Sequence, residues 1–113
     1  MSAANHDLVI DQGSTFVIDL TIKESGALKN LTGFSGRAQM RSSKSASAVA
    51  ASFTCTVVSP AGNGVLKMEL SATTSSAMAA GVYFYDLEIH TASDAIVKRL
   101  LEGKVTINQE VTR

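Results

Sequence analysis

The fold is decided by the stretch TFVIDLTIK at residues 15–23. Its apolar side chains recur at every second position, and they are Phe16, Ile18, Leu20 and Ile22. The residues between them are mostly polar, which gives the period of two that is typical of a strand with one buried face. This stretch therefore predicts a half-buried β-strand.

The same alternation recurs along the rest of the chain. It predicts further strands at residues 34–42, 52–58, 65–70, 82–90 and 96–107. The last is one long strand or two strands bent at Gly103, because a glycine inside a strand often marks a bulge. Residues 1–12 are predicted to be an N-terminal arm or edge strand, ahead of a single domain at 13–113.

Turns and loops separate these segments. SATTSSAMAAG at 71–81 predicts one short helical turn near 73–80, begun by a Ser or Thr cap and ended by Gly81. Residues 42–52 are small, polar and low in complexity, which predicts a surface loop, with an alanine-favoured helix as the alternative. Six to eight short strands without β-then-α alternation indicate an all-β, antiparallel sandwich of about seven strands, with a small barrel as the second choice.

Composition limits the classes of function. The chain has 113 residues, with ten basic and ten acidic side chains, and such a balance does not favour nucleic-acid binding. Cys55 is the only cysteine, so no disulfide forms within the chain. We expect no membrane partner, since no apolar run approaches the roughly 20 residues that cross a bilayer. The first residues lack the features of an export signal, which predicts synthesis in a cytoplasm.

No pattern of catalytic or metal-binding residues appears. The serines lie outside any G-x-S-x-G motif, and His6 and His90 have no partners at the spacing of a triad or a zinc site. Asp7 and Asp11 lack the repeated acidic spacing of a calcium loop. The sequence therefore predicts a non-enzymatic protein with no catalytic residue, no cofactor and no metal.

One strand carries an unusual pair of cations. Arg37 and Arg41 lie on the outer side of the strand at 34–42, opposite Gly36, Ala38 and Met40. The predicted neighbouring strands present acids and a third arginine on the same side. These residues define either a charge-matched outer face or a docking face for another protein, which comprises Arg37, Arg41, Asp86, Glu88 and Arg99.

Four stretches, taken in order, resemble a known group of proteins. They are DQGSTFVIDLTIK at 11–23, NLTGFSGRAQMRSS at 30–43, LSATTSSAMAAGVYFYDLEI at 70–89 and RLLEGKVTINQEVTR at 99–113. Together they resemble small virion proteins of tailed bacteriophages, which are similar to the immunoglobulin-like modules of tails and baseplates, including the N-terminal module of upper-baseplate proteins. Two positions depart from the pattern of the group: Asn30 stands where an aspartate is usual, and Asn108-Gln109 replace a proline-containing end.

The resemblance implies an immunoglobulin-like sandwich that serves as a structural protein of the virion. It implies assembly in multiple copies in the tail, baseplate or neck, through contacts with other virion proteins or as a homo-oligomer on a symmetric ring. A capsid decoration protein and a carbohydrate-binding module for host recognition remain the alternatives. The group has no agreed active site, so the resemblance assigns no site residue.

Overall fold

The chain is an all-β sandwich, as the sequence predicts. The computed structural model describes residues 4–112, and within them the chain forms ten strands and one α-helix. The strands are β1 (Ala4–Asn5), β2 (Leu8–Asp11), β3 (Phe16–Thr21), β4 (Lys23–Glu24), β5 (Ala27–Leu28), β6 (Ser35–Arg41), β7 (Ala51–Val57), β8 (Val65–Leu70), β9 (Gly81–His90) and β10 (Val97–Asn108), and helix α1 (Ala72–Ser76) lies between β8 and β9. In this range, no helix has the length and apolar character needed to cross a membrane.

One hydrogen-bonded path connects most of the strands, in the order β1-β10-β9-β6-β7-β8-β3, and β2 also pairs with β10. The path turns within β7, because residues 51–53 pair with β6 whereas residues 54–57 pair with β8. It therefore curls into two facing layers, with β10, β9 and β6 in one and β8 and β3 in the other. This is the immunoglobulin-like order of strands G, F and C against strands E and B.

The two layers meet closely at Gly36 on β6. A Cβ atom there would lie 3.0 Å from the Cβ of Cys55 and 3.1 Å from a methyl group of Leu66. The alternating side chains of the strands fill the space between the layers. Phe53 links them through ring contacts with Phe16 on β3 and Tyr85 on β9, at centroid distances of 6.0 and 6.1 Å.

The corner between β8 and β9 carries a second immunoglobulin-like feature. The Tyr83 hydroxyl, near the start of β9, donates a hydrogen bond to the carbonyl oxygen of Ala79 at 2.6 Å, as in the tyrosine corner of these sandwiches. The predicted cap is confirmed, because the Ser71 side chain accepts from the Thr74 amide at 3.1 Å. The predicted helix end is wrong: α1 ends at Ser76 with Ala77 as its C-cap, and Gly81 is the first residue of β9.

The beginning of the chain adds parallel strands to a sheet that was predicted to be wholly antiparallel. Both β1 and β2 run parallel to β10, and β2 aligns with residues 105–108. The side chains of Leu8 and Ile10 are buried in the core. Of the predicted arm, residues 1–3 lie outside the described residues.

For the last segment, the prediction of one long strand is confirmed, and the alternative of two strands bent at Gly103 is wrong. β10 is continuous, and its register with β9 shifts between Arg99 and Leu101 instead. Gly103 has a different role, since a Cβ atom there would lie 2.6 Å from the carbonyl oxygen of His6. The residue allows the link between β1 and β2 to pass close to β10.

Candidate interaction surface on the outer face of β6, β9 and β10

The residues of the predicted docking face share one side of three adjacent strands. Across β6 and β9, Arg37 aligns with Glu88 and Arg41 with Phe84. Across β9 and β10, Glu88 aligns with Arg99. Asp86 completes the face, next to Gln39 on one side and Glu102 on the other. The predicted placement is therefore correct, whereas the docking role stays a prediction.

At one end of this face the charges neutralise one another. Arg37 forms an ion pair with Glu88 and another with Asp94, where its Nη1 atom lies 3.3 Å from Oδ1. The hydrogen bonds to Glu88 and then to Asp94 raise the pKa of the Arg37 guanidinium. Arg99 Nε lies 3.3 Å from Asp86 Oδ2. We call these five residues the paired end of the face.

Asp94 is a member of this network that the sequence analysis missed. It lies in the turn between β9 and β10, where Ser93 and Asp94 have φ values of 60° and 54°. The left-handed backbone of this turn brings the Asp94 carboxylate over β6 and also 3.4 Å from His90 Nδ1. The Ser93-Asp94 pair in a short turn was the sequence feature that could have indicated this backbone conformation, because Asp tolerates a positive φ better than most residues.

Arg41 is placed differently from Arg37. Its guanidinium donates to the carbonyl oxygens of Ala46 and Ser47 at 3.0 and 2.9 Å, and to Gln39 Oε1 at 3.0 Å. It therefore holds the loop at residues 42–50, which forms turns and bends rather than the alternative helix. Within residues 4–112, no carboxylate lies within 4.0 Å of Arg41.

A row of two cations and one ring crosses the sheet at this second end. Phe84 on β9 aligns with Arg41 on one side and with Lys104 on the other. Lys104 is exposed, and, like Arg41, it has no ion-pair partner among the described residues. We call Arg41, Phe84 and Lys104 the cation row. It combines two cations that form no ion pair within residues 4–112 with a partly exposed aromatic ring.

The face is concave enough to receive a partner's side chains. A groove of about 590 Å³ runs over it and is lined by residues of both ends, including Arg41 and Phe84. A second groove, of about 430 Å³, continues past Phe84 to Lys104 and Asp7. Lys44 borders both grooves and pairs with Glu102 at 3.7 Å. Lys104 and Phe84 were not among the predicted face residues, although the alternation of β9 and β10 places both on the outer side.

The other residues considered in the sequence are not brought together. Cys55 is partly buried between the layers, and burial raises the pKa of its thiol to about 11. His6 lies between β1 and β2, where its carbonyl oxygen accepts from the Tyr85 hydroxyl, so this segment packs on the sheet. Asp7 accepts from the Lys104 amide at 2.9 Å. Residues 4–112 contain no group of three or more potential metal ligands.

The strand order, the tyrosine corner and this face define an immunoglobulin-like β-module with a charged sheet surface. No family model matches the chain, and no curated protein matches it. Among solved structures, the chain is similar to InlP of Listeria monocytogenes, with 20% identity and a TM-score of 0.46. The match covers 94% of this chain and 28% of that one, so this chain spans less than a third of that protein's length. A similarity of this degree carries no argument about function.

Proposed function

We propose that this chain is a non-enzymatic structural protein of a bacteriophage virion, which assembles in multiple copies in the tail, baseplate or neck. The proposal is supported by the four ordered sequence stretches that resemble such proteins and by an immunoglobulin-like fold of matching class. It is also supported by an exposed sheet face suited to protein contacts. Its partners are other virion proteins, and its site of action is the virion.

The cation row is the observation that carries the proposal. The two arginines of the paired end and Lys44 of the adjacent groove have carboxylate partners, whereas Arg41 and Lys104 have none among the described residues. A neighbouring protein that presents acidic side chains would neutralise both cations, and an apolar side chain would cover the Phe84 ring. We therefore expect an acidic partner surface with an apolar centre.

The first test is the composition of the particle. Tailed particles encoded by the same genome should contain this chain after density-gradient purification, with peptides detected by mass spectrometry. Tens of copies per particle would support a place in the tail, baseplate or neck, whereas hundreds would identify a capsid decoration protein instead. Absence from intact particles would overturn the proposal.

A charge reversal tests the cation row itself. Lys104→Glu should lower incorporation into particles by about five- to thirtyfold, because it opposes an acidic partner at a contact worth roughly 1–2 kcal/mol. Lys23→Glu is the matched control, since Lys23 is equally exposed but lies on β4, outside both grooves. Equal incorporation of the two variants, with unchanged circular dichroism, would show that the cation row is not part of the interface.

Phe84 also supports a second candidate function, carbohydrate binding for host recognition. An aromatic ring in a groove lined by charged and polar side chains is a suitable stacking platform for a sugar. In that case a glycan array should give hits that Phe84→Ala abolishes. An array without hits, together with reduced incorporation of Phe84→Ala into particles, would favour the protein-docking function.

A further inference from the structure

One edge of the hydrogen-bonded path is open. β3 pairs with β8 along all six of its residues, from Phe16 to Thr21. On its other side, β3 pairs with no strand in the part of the chain that the structure describes. Its outward-pointing N–H and C=O groups are therefore available to another strand.

The side chains of β3 show that this edge lacks a cover. Phe16, Ile18 and Leu20 point inward but remain only partly buried, whereas their partners on β8 are fully buried. The partners are Leu70, Met68 and Leu66. A strand added beside β3 would cover the exposed part of these apolar side chains and pair the free backbone groups.

Apart from one charged side chain, the edge lacks the features that usually prevent pairing. Its register with β8 is continuous, without a bulge, and no proline lies in β3. Asp19 is the single charged side chain of the strand, and Val17 on the same outer face is 50% exposed. Natural sheets protect open edges with lysines, prolines, bulges or covering loops.

We propose that β3 pairs antiparallel with β3 of a second copy of this chain. A two-fold pairing must place inward side chains opposite inward ones, because residues directly opposite in a sheet share a face. The register that sets Ile18 opposite the second copy's Ile18 pairs five residues of each strand. It places Phe16 opposite the second copy's Leu20 and Val17 opposite the second copy's Asp19. By the two-fold symmetry, each of these contacts occurs twice.

Charge repulsion favours this register over the neighbouring register that would centre the pairing on Asp19. A shift by one residue in each strand would set Asp19 opposite the second copy's Asp19, and like charges in that position destabilise a sheet. The chosen register avoids this contact and keeps every apolar inward side chain next to another. The sequence of β3 is thus complementary to itself, which favours a second copy as the occupant.

The resulting dimer joins two copies through one six-stranded sheet, in the order β7-β8-β3-β3-β8-β7. This pairing would make a second copy of the chain one of the partners in the structural role proposed above. Its biological meaning depends on that proposed function. The cation rows lie on the opposite layer and stay free for other proteins. Repeated copies in a virion would gain avidity from such a modest contact.

Two substitutions of Val17 test the pairing by sedimentation. The wild-type chain should show a concentration-dependent dimer. Val17→Glu should raise the dissociation constant by about two- to thirtyfold, because it sets a new carboxylate opposite the second copy's Asp19 at two symmetric positions. Val17→Lys is the matched control and should lower the constant. A wild-type chain that stays monomeric at millimolar concentration would overturn the proposal, as would a dimer that responds equally to both variants.

Cysteine cross-linking tests the register. In a Cys55→Ala background, Ile18→Cys should form a disulfide dimer on mild oxidation, because directly opposite Cα atoms in antiparallel strands lie about 4.5–5.5 Å apart. Asp19→Cys is the control that should not cross-link, since the chosen register separates the two Asp19 positions. The reverse result would overturn this register. The presence of the chain in virions is measured in a separate experiment. A failure of the pairing would therefore not count against the proposed function.

Discussion

The two edges of the hydrogen-bonded path differ in how they are completed. At the β10 edge, the beginning of the chain returns as β1 and β2 and covers the last strand in parallel. At the β3 edge, no strand covers the sheet within residues 4–112. The inward-pointing residues of β2, Leu8 and Ile10, are consequently buried, with Ile10 only 2% exposed, whereas Ile18 on β3 stays partly exposed. The comparison shows that the same alternating pattern gives different burial when one neighbour is missing.

The largest difference between the edges should appear on truncation of these two isoleucines. Ile10→Ala should lower the free energy of unfolding by about 2–5 kcal/mol, since it removes fully buried methyl and methylene groups. Ile18→Ala should cost roughly half as much in a monomeric sample, because its side chain already contacts water. Urea denaturation followed by circular dichroism measures both variants.

Val9→Ala provides the control on the covered edge, because Val9 belongs to β2 but is 62% exposed. It should change the free energy of unfolding by about 0.5 kcal/mol or less. An Ile10→Ala variant as stable as Val9→Ala would mean that β2 does not close the core, and the contrast between the edges would fail.

The closing of the β10 edge also depends on a close approach at Gly103. Gly103→Ala should lower the free energy of unfolding by about 1–3 kcal/mol, because the added methyl group meets the backbone carbonyl of His6 as well as the Asp7 carboxylate. The measurement is again urea denaturation. Gly62→Ala is the matched control, since nothing lies within 4 Å of a Cβ atom at that position. Equal stability of the two variants would show that β1 and β2 can shift without cost.

The alternation of apolar and polar residues predicts most of the strands and their buried faces. It does not predict which strands pair at the edges of the sheet. The alternation in β3, β6, β8 and β9 identified the inward side chains correctly, because one buried face is enough to fix a period of two. The pairing of β2 with β10 was not predictable in this way. It joins residues about 97 positions apart, and only the completed sheet shows that an edge is available there.

The same distinction applies to the candidate surface: contacts set by strand alternation were predicted, whereas contacts that depend on a loop or a turn were not. The surroundings of Arg37 were predicted correctly, since adjacent strands with alternating charges place Glu88 beside it on β9 and Arg99 beyond Glu88 on β10. The separation of Arg41 from the acids was not predicted, because it depends on a loop whose carbonyl groups occupy the guanidinium. The contribution of Asp94 depends on a left-handed turn that the sequence only permits.

The smallest expected effect concerns the hydrogen bond that fastens the link between β1 and β2 to the sheet. The Tyr85 hydroxyl donates to the carbonyl oxygen of His6, and Tyr85→Phe should lower the free energy of unfolding by about 1 kcal/mol at pH 7. Tyr83→Phe offers a comparison two residues earlier on β9, where the hydroxyl bonds to Ala79 within its own corner. Only the Tyr85 variant should increase hydrogen exchange in β2.

The pH dependence of Tyr85→Phe sharpens this prediction. Burial, together with the nearby charge of Asp7, raises the pKa of Tyr85 to about 12 from its ordinary value of 10.0. The folded chain therefore keeps the phenol proton at a pH where the unfolded chain has released it, so the stabilising contribution is complete below pH 10 and is lost as the pH rises through about 12. Wild-type stability should consequently fall more steeply than that of Tyr85→Phe between these values. Cys55 and the other titrating groups are common to both chains and cancel in the difference. Parallel curves over this range would mean that the phenol is already open to solvent, and that the Tyr85 hydrogen bond does not help to fasten the covered edge.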